Sequence, residues 1–210
     1  MIKVVPFIYE DLDELYANTY LLIDEEKVCV VIDPGKNYHG LINFINKNNL
    51  SLKAVLLTHG HIDHMRGVDL LYQNFHIPVY IGFEDLPNLN DPYLNCSLML
   101  GENLTVSAPC DTLSDKQILS FLKEDINVIH TPYHTAGSMC FYLKDSGLCF
   151  TGDFIIPHGV GRSDLPGAKP KEFQRSMMRI LALPPQTKIY GGHGHASTLE
   201  IERQVNTFVK

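Results

Sequence analysis

Thr58-His59-Gly60-His61-Ile62-Asp63-His64 is the stretch from which the rest of this chain is read. It follows Ala54-Val55-Leu56-Leu57, an apolar run of strand length. His59 and His61, two residues apart, point the same way in an extended segment. Asp63 and His64 then come from the turn entering a helix, which Val68, Leu71, Tyr72 and Phe75 mark by their helical spacing. A loop at the end of a rigid strand can hold several ligands at fixed angles, as a metal site requires. So dense a cluster of imidazole and carboxylate donors points to a bound cation rather than to solvated surface histidines.

Working outward, three residues occupy the same context. His134 lies in Thr131-Pro132-Tyr133-His134-Thr135-Ala136-Gly137-Ser138, after an apolar run ending at Ile129. Asp153 follows Thr151-Gly152, after a run ending at Phe150, and His193 lies in Gly191-Gly192-His193-Gly194-His195, after Tyr190. Each sits at the end of a strand-like run, with glycines that let backbone come close. A lone histidine there is usually structural; joined to the first cluster, these residues complete an N/O ligand set without a thiolate. Such ligands suit Zn²⁺, Fe²⁺ or Mn²⁺.

The remaining pattern is a layered α/β or α+β arrangement. Strands are expected at Tyr20–Ile23, Val28–Ile32, Pro78–Ile81, Val128–Ile129, Cys140–Leu143, Leu148–Phe150 and Lys188–Tyr190, mostly short and compatible with antiparallel pairing. Asp33-Pro34-Gly35 is a turn signal. Tyr38, Leu41, Ile42 and Ile45 give one helix, and Phe173, Met177, Ile180 and Leu181 another. Ser197-x-x-Glu200 reads as a capping box opening a last helix, with Ile201, Val205 and Phe208 on its apolar face. Residues 84–127 are the least legible, with a short helix expected near Leu113–Leu122 and hairpin structure as its alternative. No repeat or linker interrupts the chain, so a single domain is expected over 1–210.

Composition narrows the function classes. In 210 residues, 17 basic and 24 acidic side chains leave a net charge of -7, a poor match for a phosphate-backbone binder. No apolar run reaches the ~18 residues of a membrane span. Met1-Ile2-Lys3-Val4-Val5-Pro6 is too short an apolar run for a signal peptide and soon meets Glu10 and Asp11. The five cysteines (Cys29, Cys96, Cys110, Cys140 and Cys149) include no CxxC pair, which favours reduced thiols in a cytoplasmic protein. Cys110, in a polar stretch, is the one with a claim to reactivity, although nothing beside it suggests a depressed pKa.

The HxHxDH run at His59–His64, followed in order by His134, Asp153 and His193, resembles the metallo-β-lactamase superfamily over nearly the whole chain. The resemblance implies an αββα sandwich of the α+β class, with the site at one edge of its two sheets. It further implies that His59, His61 and His134 hold one of two divalent ions, most simply zinc, with iron or manganese as alternatives. Asp63, His64 and His193 hold the other, and Asp153 bridges them. Asp153, where a cysteine would stand in the best-known zinc class, argues against β-lactam hydrolysis of that type.

Gly161-Arg162-Ser163-Asp164-Leu165-Pro166-Gly167 and Gly192-His193-Gly194-His195 look like the hydroxyacylglutathione hydrolase (glyoxalase II)-like branch. Seventeen residues follow His193 in the chain of 210. That is room for one helix, where larger glyoxalase II enzymes carry a helical domain that helps hold glutathione, so the likeness is to a short form. Its implication is hydrolysis of a small-molecule thioester, such as a hydroxyacylglutathione, by a metal-bridging hydroxide. Asp63 is then the catalytic residue, orienting and neutralising rather than attacking. The alternatives are a mononuclear-iron persulfide dioxygenase using His59, His134 and Asp153, or a hydrolase of another small ester or lactone. No nucleic-acid or membrane partner is expected, and oligomeric state stays open. Arg162 is a candidate substrate residue, although a loop ion pair explains it as well. Tyr133, His158 and His195 depart from the branch pattern and are expected near the pocket, although packing or solvent exposure is the commoner fate of such residues.

Overall fold

Strands buried on both faces need apolar residues at every position rather than at alternate ones. That is the pattern of Thr19–Ile23 after its first residue and of Val28–Ile32. In the computed structural model, which describes residues 1–9 and 15–209, these are the second and third strands of a six-stranded sheet. Glu10 and Asp11 lie outside the described residues. The first half of the chain runs β1 (Lys3–Phe7), β2 (Thr19–Ile23), β3 (Val28–Ile32), α1 (His39–Lys47), β4 (Ser51–Leu56), α2 (Ile62–Met65), α3 (Val68–Phe75), β5 (Val79–Gly82) and β6 (Cys110–Leu113). Its strands pair in chain order. The second half runs β7 (Ile118–Leu119), β8 (Ile126–His130), β9 (Met139–Leu143), β10 (Leu148–Gly152), α4 (Phe173–Leu181), β11 (Lys188–Gly191), β12 (Ser197–Thr198) and α5 (Leu199–Val205). It forms a second six-stranded sheet, again in chain order.

Alternate residues of each strand enter different layers. Leu21, Val31 and Val55 pack outward with Leu41, Ile45, Met65 and Leu71 of the first helices. Leu22, Val30 and Leu56 face inward against Val128, Phe141 and Phe150 of the second sheet. On the far side, Cys140, Cys149 and Ile189 meet Met177 and Ile180 of α4 and Leu199 of α5. The result is the expected α+β, αββα sandwich.

Several details differ from expectation. Both sheets are mixed: β3–β4, β4–β5, β5–β6 and β10–β11 are parallel, because helices or long crossovers return the chain between them. No helix forms over Leu113–Leu122; the alternative holds instead, with β7 and β8 paired as an antiparallel hairpin. Leu113, Leu119 and Leu122 all enter the inter-sheet core, from separate elements rather than one helical face. At α5 the cap is Thr198, whose Oγ1 accepts from Ile201 N at 3.2 Å, rather than Ser197. The helix also shows the opposite face to that expected: Ile201, Val205 and Phe208 are exposed, whereas Leu199, Glu202, Asn206 and Val209 are buried. Glu202 Oε2 accepts from His158 N and Asn206 Nδ2, and Asn206 Nδ2 also donates to Gly159 O. A polar network therefore docks this helix. All five cysteines are free thiols, and burial pushes Cys110 up to about 12. Among the described residues no helix is long and apolar enough to cross a membrane.

Candidate metal centre

The strand ends at one edge of the sandwich converge. His59 and His61 follow β4, His134 follows β8, Asp153 follows β10 and His193 follows β11. Two backbone bonds join the halves at this edge: Met139 N donates to Thr58 O at 2.7 Å, and Asn18 N to Gly192 O at 2.6 Å.

Three imidazoles meet first. His61 Nδ1 lies 3.1 Å from His59 Nε2 and 2.9 Å from His134 Nε2. The remote nitrogens of two of these rings have acceptors of their own. His134 Nδ1 faces Arg162 O at 2.6 Å, and His59 Nδ1 faces Thr58 Oγ1 at 3.2 Å. With the ring protons placed there, the Nε2 atoms turn lone pairs inward. Burial holds His59 well below the usual imidazole range, helped by His64, His134 and His61. Burial and His134 bring His61 to about 3. Unprotonated imidazoles packed this closely are a cation-binding donor set.

A second group adjoins it. His193 Nε2 is 3.2 Å from Asp63 Oδ2, and His64 Nε2 is 3.7 Å from the same oxygen. Asp153 reaches both groups, with Oδ1 3.4 Å from His64 Nε2 and Oδ2 3.5 Å from His134 Nε2. The donor atoms within each of the sets His59–His61–His134, His59–His64–Asp153 and Asp63–His64–His193 lie within 4.8 Å of one another. His64 Nε2 and Asp153 Oδ1 are buried without a hydrogen-bond partner, so the donor set fits a cation between them. Burial alone would raise Asp153 and Asp63, but their neighbouring histidines, His64 foremost, hold both carboxylates low. Burial would conversely lower His64, but Asp33, Asp63 and Asp153 outweigh it and raise the ring. His193 is likewise raised, against its burial, by Asp63 and Asp153.

Glycine is required where this packing is tightest. A Cβ on Gly192 would collide with Asp153 Oδ1 and the His64 ring, and one on Gly161 with Asp153 O and the His134 ring.

Two buried carboxylates that the motif does not contain set the geometry. Asp33, in the left-handed region at φ 49°, accepts His64 Nδ1 at 2.9 Å and Thr58 Oγ1 at 2.6 Å on Oδ2, and Thr58 N at 2.7 Å on Oδ1. It thereby aims His64 Nε2 into the centre. Asp85 accepts Gly60 N at 2.9 Å and Thr135 Oγ1 at 2.6 Å on Oδ2, and Gly137 N at 2.7 Å on Oδ1. It ties the His59–His61 loop to the His134 loop. Asn18 plays a similar part for the His193 loop, donating through Nδ2 to Gly194 O at 2.8 Å. Asp33 had a sequence signal, since it ends an apolar strand as the ligands do. Asp85, three residues beyond β5 inside a Phe83–Leu89 3₁₀ segment, had only a weak one.

The donors open onto a cavity of 390 Å³ lined by His61, Asp63, His134, Asp153 and His193 together with Leu15, Ile62, Cys96, Met99, Leu100, Ile156, Val160, Gly161, Arg162 and Leu165. Arg162 is therefore at the cavity, exposed and paired with Asp164 through bonds of 2.9 and 2.9 Å. Three other expected pocket residues are elsewhere. Tyr133 is buried in the far core, its ring 4.7 Å from that of Phe173 and 6.1 Å from that of Phe154. His158 and His195 are exposed and outside the cavity lining. Cys96, which lines the cavity, was read from sequence only as one of the reduced thiols; burial pushes it up to about 11.

Comparison with known proteins agrees with this architecture. The model of the metallo-beta-lactamase superfamily matches residues 12–193. The BLEG-1 B3 metallo-beta-lactamase crystal structure is 33% identical with a TM-score of 0.91, covering 100% of both chains. TTHA1623, solved in a di-iron-bound form, is 34% identical with a TM-score of 0.87, covering 98% of this chain and 100% of that one. The hydroxyacylglutathione hydrolase GloC of Haemophilus influenzae is 30% identical over 195 residues, covering 91% of this chain and 92% of GloC.

Proposed function

The chain belongs to the metallo-beta-lactamase superfamily, and from that premise we propose a dinuclear metallo-hydrolase that cleaves a small-molecule thioester, with a hydroxyacylglutathione as first candidate. The observation that carries the proposal is the pair of donor triads, His59–His61–His134 and Asp63–His64–His193, with Asp153 between them. The second triad supports a dinuclear hydrolase over a mononuclear-iron dioxygenase. Zinc is the first candidate, and the di-iron form of TTHA1623 supports iron as the alternative. Two divalent cations held by these residues would supply a hydroxide nucleophile near neutral pH and polarise an acyl oxygen.

The chain's own groups do the rest. Asp33 and the Arg162 carbonyl fix His64 and His134 in the tautomers that present Nε2. Asp63, kept as a carboxylate by His64 and His193, orients the attacking water without itself bonding to the acyl carbon. The departing thiolate, with a pKa of about 8.5 for an ordinary thiol, needs no strong general acid. Consistent with this, among the described residues the cavity lining beyond the donor set offers a basic side chain in Arg162 and no further carboxylate. No nucleic-acid or membrane partner is part of the proposal.

The test is hydrolysis of S-lactoylglutathione by protein whose metal content is measured in parallel. The expected result is two metals per chain and metal-dependent turnover. Full activity in a metal-free His59→Ala or Asp153→Ala variant would sink the proposal. So would oxygen uptake with glutathione persulfide by protein carrying one iron. A chromogenic cephalosporin belongs in the same series, since the likeness to BLEG-1 favours β-lactams as a second substrate class.

A further inference from the structure

Besides the donors, the cavity lining is largely aliphatic. Leu15, Met99, Leu100, Ile156, Val160 and Leu165 form this wall. Three of these lining residues are large apolar side chains left in solvent: Leu15 is 51% exposed, Met99 58% and Leu100 42%. Met99 and Leu100 project from a short 3₁₀ turn, Ser97–Leu100, whose Ser97 is fully buried. Ser97 is anchored by Asn95 Oδ1, which accepts Ser97 N at 2.9 Å, so the turn that presents them is fixed. Clustered apolar exposure beside a polar reaction centre marks a surface that a ligand covers.

The charge of the cavity points the same way. Among the described residues, Arg162 is its one permanently cationic lining side chain, and Asp164 already engages it with two bonds. Among the described lining residues, the two carboxylates of a glutathionyl group find no lysine or arginine that is not already engaged. A short hydroxyacyl group leaves the aliphatic wall wet.

We infer that this wall receives a straight aliphatic acyl chain, so that the preferred substrate is a medium-chain acyl thioester on a carrier of low charge. This rests on the thioester-hydrolase reading of the same site and replaces its first candidate, the hydroxyacylglutathione, with an aliphatic acyl group on a less charged carrier. In the step itself, the oxygen of water bonds to the acyl carbon and the carbon–sulfur bond breaks. The sulfur leaves with the electron pair and takes up a proton, giving a carboxylate, a thiol and one released proton.

The experiment uses the full chain purified with its metal and a series of thioesters on one neutral thiol, N-acetylcysteamine: acetyl, butanoyl, hexanoyl, octanoyl and lactoyl. Fully burying a methylene corresponds to about a fourfold gain, and a half-open wall to roughly twofold. From acetyl to hexanoyl, kcat/KM should therefore rise at least about tenfold, with lactoyl below butanoyl. In a Met99→Asp variant the hexanoyl-to-acetyl ratio should fall towards one. A flat or falling series overturns the inference while leaving thioester hydrolysis standing, and an unchanged ratio in Met99→Asp overturns the assignment of the wall. If no thioester is cleaved, the reaction reading fails by itself. Calorimetric titration with acetate through octanoate then reads the wall directly: affinity rising with length supports the aliphatic site, and no trend overturns it.

Discussion

Replacing Asp85 with alanine removes one side chain and leaves three donors behind: Gly60 N, Gly137 N and Thr135 Oγ1. Asp85 is 2% exposed, so water does not replace it at these groups without rearrangement. Hydrogen bonds to a charged acceptor contribute about 1.5 kcal/mol each at the low end, or roughly 4–5 kcal/mol together. Part of this returns, because burying the carboxylate is itself costly; burial raises Asp85 even against its three donors and His134. A net loss of about 3 kcal/mol is expected, a large share of a typical domain's 5–15 kcal/mol. Asp85→Asn is the sharper variant. Its oxygen can still accept Gly137 N, and Thr135 Oγ1 can turn to accept from its amide, but Gly60 N faces a donor. One orphaned donor costs about 1–3 kcal/mol. Because Gly60 separates His59 from His61, the displacement should weaken metal binding by about 10- to 100-fold, as losses of outer-shell partners do. Urea denaturation of metal-free protein gives the first quantity, and competition with a chromogenic chelator gives the second. A loss below 1 kcal/mol in Asp85→Ala, with chelator competition unchanged in Asp85→Asn, would refute the reasoning.

Other outcomes follow from the same geometry. Asp33→Asn removes the acceptor that orients His64, and should cut affinity for the second metal about 10- to 100-fold while sparing the first, as read by stepwise metal titration. Gly192→Ala drives a methyl into Asp153 and His64 and should cost about 1–3 kcal/mol in urea denaturation; an unchanged midpoint would mean the loop yields freely. Asp115 supplies the pH test. Burial would raise it, but His130 N and Arg179 hold it low. A depressed carboxylate contributes stability that is present above its unfolded value, about 3.9, and is lost as pH falls through the folded one. Asp115→Asn should therefore narrow its deficit against the unaltered protein as acid titration proceeds below pH 4, followed by circular dichroism.

What the sequence made legible is what local pattern encodes. β4, β10 and β11 are apolar runs ending at a polar residue or a glycine turn, and ligands follow those ends, so strands and candidate site are legible together. The region from Leu113 to Leu122 misled because three leucines of one layer come from different elements across a turn at Lys116, which has φ 63°. The face of α5 misled for a different reason. Its docked side carries Glu202 and Asn206, which bind loop backbone, and apolar periodicity is blind to such a face. Asp85 and Asn18 escaped notice because their partners are mainly backbone groups, which carry no sequence signature.

The two sheets divide the chain near its midpoint, one ending at Leu113 and the other starting at Ile118, yet each donor triad takes members from both halves. Neither half alone owns a complete centre. A chain emerging N-terminus first presents His59, His61, Asp63 and His64 long before His193 exists, so the centre is among the last features that synthesis can complete. Metal retention is then a readout of docking between the halves, and a chain nicked between β6 and β7 becomes a natural pair of fragments whose reassociation a cation would reward.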